Sequence, residues 1–176
     1  MITITESEMH FGQYQEESVF QIEKCDLYRR LAPEQVKCCE FLLFRQGKLC
    51  FLEAKKSCPN QITAQSSAEK QRKYKEYIDG IVTKMRHSLA LYANILLHNQ
   101  SSADIPDTFC TQDLSQCKIQ LILVVKNAEM SWLVPLQEKL NSEMHADLKI
   151  WNIQRFFVIN EETAKRKGFI TDKPVL

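Results

Sequence analysis

Apolar and polar residues change period several times along the chain, and each change predicts an element. "SVFQIEKC" (18–25) alternates, with Phe20 and Ile22 on one face, and reads as a strand. "DLYRRL" follows as a turn of helix ahead of Pro33. Residues 36–45 and 48–56 are two β-type runs separated by Gln46-Gly47, a pair that suits a two-residue hairpin turn because glycine accepts positive φ. Across 66–98, Tyr74, Tyr77, Ile78, Ile81, Val82, Met85, Leu89, Tyr92 and Leu96 recur at three and four, the period of an amphipathic helix. "NQSSADIPDTFCTQD" reads as a loop. "CKIQLILVVKN" (117–127) reads as a buried strand and "SWLVPLQEKLNSEMH" (131–145) as a helix broken or begun near Pro135. "DLKIWNI" and "RFFVIN" supply one or two last strands, and 161–167 forms a short helix closed by Gly168.

The order is strand, hairpin, long helix, strand, helix, strand. A strand joined to a parallel neighbour through a helix makes a crossover, and such crossovers are right-handed. The expected fold is therefore α/β. A central mixed sheet carries an antiparallel hairpin that feeds a right-handed βαβ crossover, with helices on both faces, in one domain over 1–176.

The hairpin register has a chemical consequence. If Gln46 and Gly47 are the loop, Arg45 faces Lys48, Phe44 faces Leu49, Leu42 faces Phe51, and Glu40 faces Glu53. Side chains alternate, so Cys38, Glu40, Leu42, Phe44, Leu49, Phe51, Glu53 and Lys55 share one face, while Cys39, Phe41, Leu43, Cys50, Leu52 and Ala54 share the other. Two carboxylates opposed at about 5 Å repel by about 3 kcal/mol at an effective dielectric near 20. A divalent cation, the Lys55 ammonium, or both would offset that repulsion. Glu53 and Lys55 also stand at the carboxyl end of a strand leading into a crossover, where open α/β sheets bind ligands. A turn one residue longer would separate the two glutamates.

Glu40 on one strand and "FLEAK" with Glu53 and Lys55 on the next, followed by a long helix and another strand, resemble the PD-(D/E)XK nuclease superfamily over about residues 18 to 126. The resemblance implies a restriction-endonuclease-like core and hydrolysis of nucleic-acid phosphodiester bonds with Mg²⁺ or Mn²⁺. It implies Glu40, Glu53 and Lys55 as catalytic residues. Glu40, Glu53 and the Ala54 carbonyl would bind metal, with Glu23 or Glu17 as an extra acid. Two departures stand out: Cys39 precedes Glu40 where a proline is usual, and glutamate replaces aspartate.

Charge and composition narrow the partners only a little. The formal net charge is +1, so a nucleic-acid site must come from a local patch. Lys56, Lys70, Arg72, Lys73 and Tyr74 are the candidate contacts with nucleic acid, DNA foremost. Lys75, Lys84 and Arg86 add to the charge on the long helix, and Glu69, Glu76 and Asp79 soften it. Of the seven cysteines, none forms a C-x-x-C pair, and Cys39 and Cys50 sit in apolar strands, so reduced, inert thiols without zinc are expected. No signal peptide or membrane-length apolar run is legible, which suggests a cytoplasmic protein. Three readings stay open: a nuclease, a catalytically inactive nuclease-fold module that binds a partner protein or nucleic acid, and a homodimer or subunit of a larger restriction or defence assembly.

Overall fold

The computed structural model describes residues 1–60, 62–111 and 113–171. It is an α/β fold built on a mixed five-stranded sheet, with a separate two-stranded antiparallel sheet and helices. The five strands are β3 (Val19–Phe20), β4 (Phe41–Arg45), β5 (Lys48–Ser57), β6 (Lys118–Asn127) and β7 (Phe156–Asn160), hydrogen-bonded in that order. β3, β4 and β5 run antiparallel, and β5, β6 and β7 run parallel. The two-stranded sheet is an N-terminal hairpin, β1 (Ile2–Glu6) and β2 (Met9–Tyr14).

Helix α2 (Ala68–Leu96) begins at Ser67, whose Oγ accepts from the Lys70 N–H. Its buried stripe, including Ile78, Ile81, Met85, Leu89 and Tyr92, packs with α4 (Met130–Glu143) on Leu42, Phe51, Leu121 and Leu123. On the opposite face Phe41, Leu43, Leu52, Ile122 and Val124 meet Ile4 and Phe11 of the hairpin and Ala164 of α6 (Glu161–Arg166). β5 is therefore buried on both faces, as its nearly continuous apolar run predicts. The outer edge of β7 is blunted by α4. Gln137 accepts from the Val158 N–H, while Asn141 accepts from the Phe156 N–H and donates to its carbonyl.

The hairpin turn has the expected two residues, Gln46 at φ 51° and Gly47 at φ 69°, and the register holds from Arg45↔Lys48 to Phe41↔Leu52. The ladder then stops. Glu40 still donates its N–H to the Leu52 carbonyl (3.0 Å), but the chain bends there, so Glu40 and Glu53 are not a rung of the ladder. Cys39 consequently leaves the face it was expected to share with Phe41 and joins the cluster under α2.

Four other expectations change. The strand over 18–25 shortens to β3, because the chain enters a 3₁₀ turn at Ile22–Lys24 anchored by buried Ile22. "DLKIWNI" is no strand: helix α5 (His145–Ile150) occupies it, burying Leu148 and leaving Ile150 in solvent, an asymmetry alternation alone does not reveal. The 99–113 loop contains the short helix α3 (Asp107–Thr111), whose fully buried Phe109 packs against Phe20, Phe44 and Tyr92. α4 runs through Pro135 without a break. The remaining helix, α1 (Asp26–Leu31), is the expected turn before Pro33, and Gly168 (φ 71°) follows α6 as its closing glycine.

Ser88, wholly buried on α2, fixes the segment that leads into Glu40. Its Oγ accepts from the Cys39 N–H at 2.8 Å and donates to the Lys84 carbonyl at 2.7 Å. Ser88→Ala should leave a buried N–H unpaired and lower unfolding free energy by about 1–3 kcal/mol in urea titrations. A loss below measurement error would show that this bond does not anchor the strand entry.

Candidate functional site

Five ionisable side chains from four segments converge where β4 begins and β5 runs toward α2. Glu23 comes from the 3₁₀ turn before α1, Glu40 from the bend before β4, Glu53 and Lys55 from one face of β5, and Lys84 from the middle of α2. Alternation along β5 places Glu53 and Lys55 on the α2 face, as the register predicts.

The Lys84 ammonium is the centre of the group. Its Nζ lies 3.5 Å from Glu23 Oε1, 3.5 Å from Glu40 Oε1, and 3.0 and 3.1 Å from the two oxygens of Glu53. Glu53 is 0% exposed and carries a second ammonium, Lys55 Nζ, at 2.7 Å from Oε1. The angles at that oxygen form no hydrogen bond, so its attraction to the two lysines is ion pairing. Glu40 is hydrogen-bonded to Glu23, carboxyl to carboxylate.

Protonation follows from burial and neighbours. Desolvation, the hydrogen bond to Glu23 and the Glu53 charge push Glu40 up to about 9, so it is neutral at pH 7 and donates to Glu23. Burial would raise Glu23, but the bond from Glu40 and the Lys84 charge outweigh it and hold that carboxyl low. Glu53 is raised by burial, opposed by Lys84 and Lys55. Burial works to lower Lys84, and the Glu53, Glu40 and Glu23 charges overcome it and raise it. Like-charge repulsion is thus offset twice, by a lysine from the helix and by a proton on Glu40.

Of the residues singled out in the sequence, Glu23, Glu40, Glu53 and Lys55 come together. Glu17 does not join them; it is exposed on a separate 3₁₀ turn. Ala54 lies in the ladder opposite Val124 with its methyl buried on the other face. Lys56 pairs with Glu8, Arg72 with Glu76 and Lys73 with Glu69, while Lys70 is exposed and Tyr74 is buried in the core. Positions 70–73 are about 18 Å along α2 from Lys84. Lys84 is the member that sequence reasoning missed as part of this group. Its signal is its spacing, three residues after Ile81 and four before Ser88, which puts it on the buried stripe.

Three carboxylates around one cation are a hard-oxygen donor set of the kind Mg²⁺ and Mn²⁺ take. The donor chemistry of Glu23, Glu40 and Glu53 is of the type such an ion takes, and the cation they surround in this structure is the Lys84 ammonium. Among the described residues no group of three His, Cys, Asp or Glu side chains has the arrangement of a preformed metal site. All seven cysteines are free thiols, five of them buried. No helix among the described residues is long and apolar enough to cross a membrane.

No family model, curated protein or solved structure matches the chain.

Glu40 gives a pH test. Its carboxyl is ionised above 4.5 in the unfolded chain but only above about 9 in the fold, so folding takes up a proton between those values. This contribution to stability is complete below pH 4.5 and is lost as pH rises toward 9. Glu40→Gln, which still donates to Glu23, should melt at or above wild type at pH 7 and flatten the decline from pH 5 to 9. A melting temperature well below wild type would show that Glu40 acts in the fold as an anion.

Lys84 gives a second test. At pH 8 Lys84→Met should cost about 3 kcal/mol, since it leaves buried carboxylates without their cation, and less at pH 5, where they take up protons. Adding Glu53→Gln should recover most of the loss. Strictly additive losses in the double mutant would remove Lys84 as the counter-charge.

Proposed function

We propose that the chain is a divergent nuclease of the PD-(D/E)XK type that hydrolyses phosphodiester bonds of nucleic acid with Mg²⁺ or Mn²⁺. One observation carries the reading: Glu23, Glu40 and Glu53, from three segments, gather around a single cation, with Lys55 held on Glu53. Glu40, Glu53 and Glu23 would hold the metal, together with the Ala54 carbonyl. A bound divalent ion supplies an acidified water and draws charge from the phosphoryl oxygens. Glu53, buried and rigid on β5, fixes the orientation of Lys55. Lys55, a third exposed, presents its ammonium to solvent and to charge developing on a phosphate. Glu23, kept ionised by the proton on Glu40, offers the most accessible carboxylate of the three at 29% exposure. Lys84 sits on a long flexible arm, so its ammonium can withdraw when another cation arrives.

The position of Lys84 also favours a second reading. An ammonium already neutralises the carboxylates and Glu53 has no exposed surface, as suits a module that keeps the nuclease scaffold and binds without cutting. Metal decides between the two. In the nuclease reading, millimolar Mn²⁺ raises the melting temperature of wild type but not of Glu53→Gln. Purified protein then cuts single- or double-stranded nucleic acid with Mg²⁺ or Mn²⁺, and Lys55→Ala abolishes cutting while retaining the wild-type circular dichroism spectrum. Cutting by Lys55→Ala at the wild-type rate would remove its catalytic role. Absence of both metal-dependent stabilisation and cutting would leave the binding module.

A further inference from the structure

Six cations at the opposite end of the sheet have no carboxylate partner among the described residues. One cleft, of about 400 Å³, is lined by Arg45, Lys48 and Lys167, and an adjoining one, of about 450 Å³, by Lys118, Lys149 and Arg155. Gln120, Gln154 and Phe157 line both, so the two form one continuous concave surface. Among the described residues no aspartate or glutamate lines either cleft. None of the six makes an ion pair among the described residues, in contrast to Arg72, Lys73 and Lys75 on α2, each paired one turn along the helix.

The sheet concentrates this charge. Lys48 and Lys118 begin β5 and β6 and are register partners in the parallel ladder, on strands about 4.8 Å apart. Like charges so placed destabilise the pair unless an anion stands between or over them. Arg155 immediately precedes β7 and adds a third cation at the same end. Arg45 is preset rather than mobile: its guanidinium donates to the Gly168 carbonyl at 2.9 Å and stacks 5.1 Å from the Phe169 ring centre. Lys48 lies five residues from Glu53 along β5, about 17 Å, so the surface is distinct from the carboxylate group.

We propose that this surface binds the phosphate backbone of a nucleic acid. Its charge matches a polyanion and is concentrated in a chain of formal net charge +1. Half-buried Phe157 offers an aromatic face for a base, and Gln120 and Gln154 offer amides to sugar and base edges. A concave cleft with an aromatic wall accommodates a strand better than a flat bilayer. The inference stands whether or not the carboxylate group cuts.

The test is fluorescence anisotropy in EDTA, so that no cleavage intervenes, with a labelled 20-nucleotide single strand and the matching duplex between 50 and 200 mM NaCl. Lys118, Lys149 and Arg155 are all exposed, so replacing them together with Gln leaves the core untouched. The triple variant should bind about 30-fold more weakly at 0.1 M salt, and the slope of log affinity against log salt should fall by about 2–3. A control triple at Arg72, Lys73 and Lys75 should change affinity less than about threefold, because paired charges release few counterions. Loss of binding equal to or smaller than the control's would overturn the proposal. So would no binding to either oligonucleotide at 50 mM salt, or capture by phosphatidylserine vesicles without oligonucleotide binding.

Discussion

One half-buried ammonium, that of Lys84, is the constraint on which the middle of this molecule depends. It ties α2 to the 3₁₀ turn carrying Glu23, the bend carrying Glu40 and the β5 strand carrying Glu53. Bringing these charges out of water is costly, and a buried ion pair is seldom more stable than apolar packing of the same shape. The arrangement instead specifies geometry: α2 has one register against the sheet in which Lys84 reaches all three acids. Ser88, one turn on, enforces that register by bonding both the Lys84 carbonyl and the backbone of Cys39, next to Glu40.

The two ends of the sheet are electrostatically opposite. Toward the carboxyl end of β5 stand three acids closed over two lysines; at the starts of β5 and β6 and ahead of β7 stand lysines and an arginine open to solvent. The acidic end is internally neutralised and its key member is fully buried. The basic end makes no ion pair among the described residues and is concave. The positive potential of the molecule is therefore concentrated at the basic end, while the acidic end is balanced by its own lysines.

The hairpin was legible in the sequence because its period is two. A slip of one residue would exchange both faces, so the buried alternation and the Gln46-Gly47 turn leave one register, which correctly joined Glu53 and Lys55 on the α2 face. Lys84 was harder to read as a member. On a 29-residue helix rich in lysine and arginine, a cation on the buried stripe differs from its neighbours only by its phase with Ile81 and Ser88. The N-terminal hairpin was missed for another reason: its turn is Ser7-Glu8, both at positive φ, without the Gly or Asn that marks such turns. The basic clefts were invisible as a motif because each strand start supplies about one cation, and only the sheet sets them side by side.

That contrast explains why counting charge along a chain does not locate its unpaired charge. A run such as Lys70, Arg72, Lys73 and Lys75 looks strongly basic, yet helical spacing places Glu69, Glu76 and Asp79 one turn from three of its members, and each of those cations is paired. Helices neutralise local charge runs because neighbours at four residues can meet. Strand starts do not, since alternation sends successive side chains to opposite faces and a neighbouring strand decides what each one meets. Lys48 meets Lys118, and the charge that would balance them is absent from both strands at that level. An unbalanced cation pair formed by tertiary register is therefore stronger evidence for an external anion than a longer basic run whose partners lie one turn away.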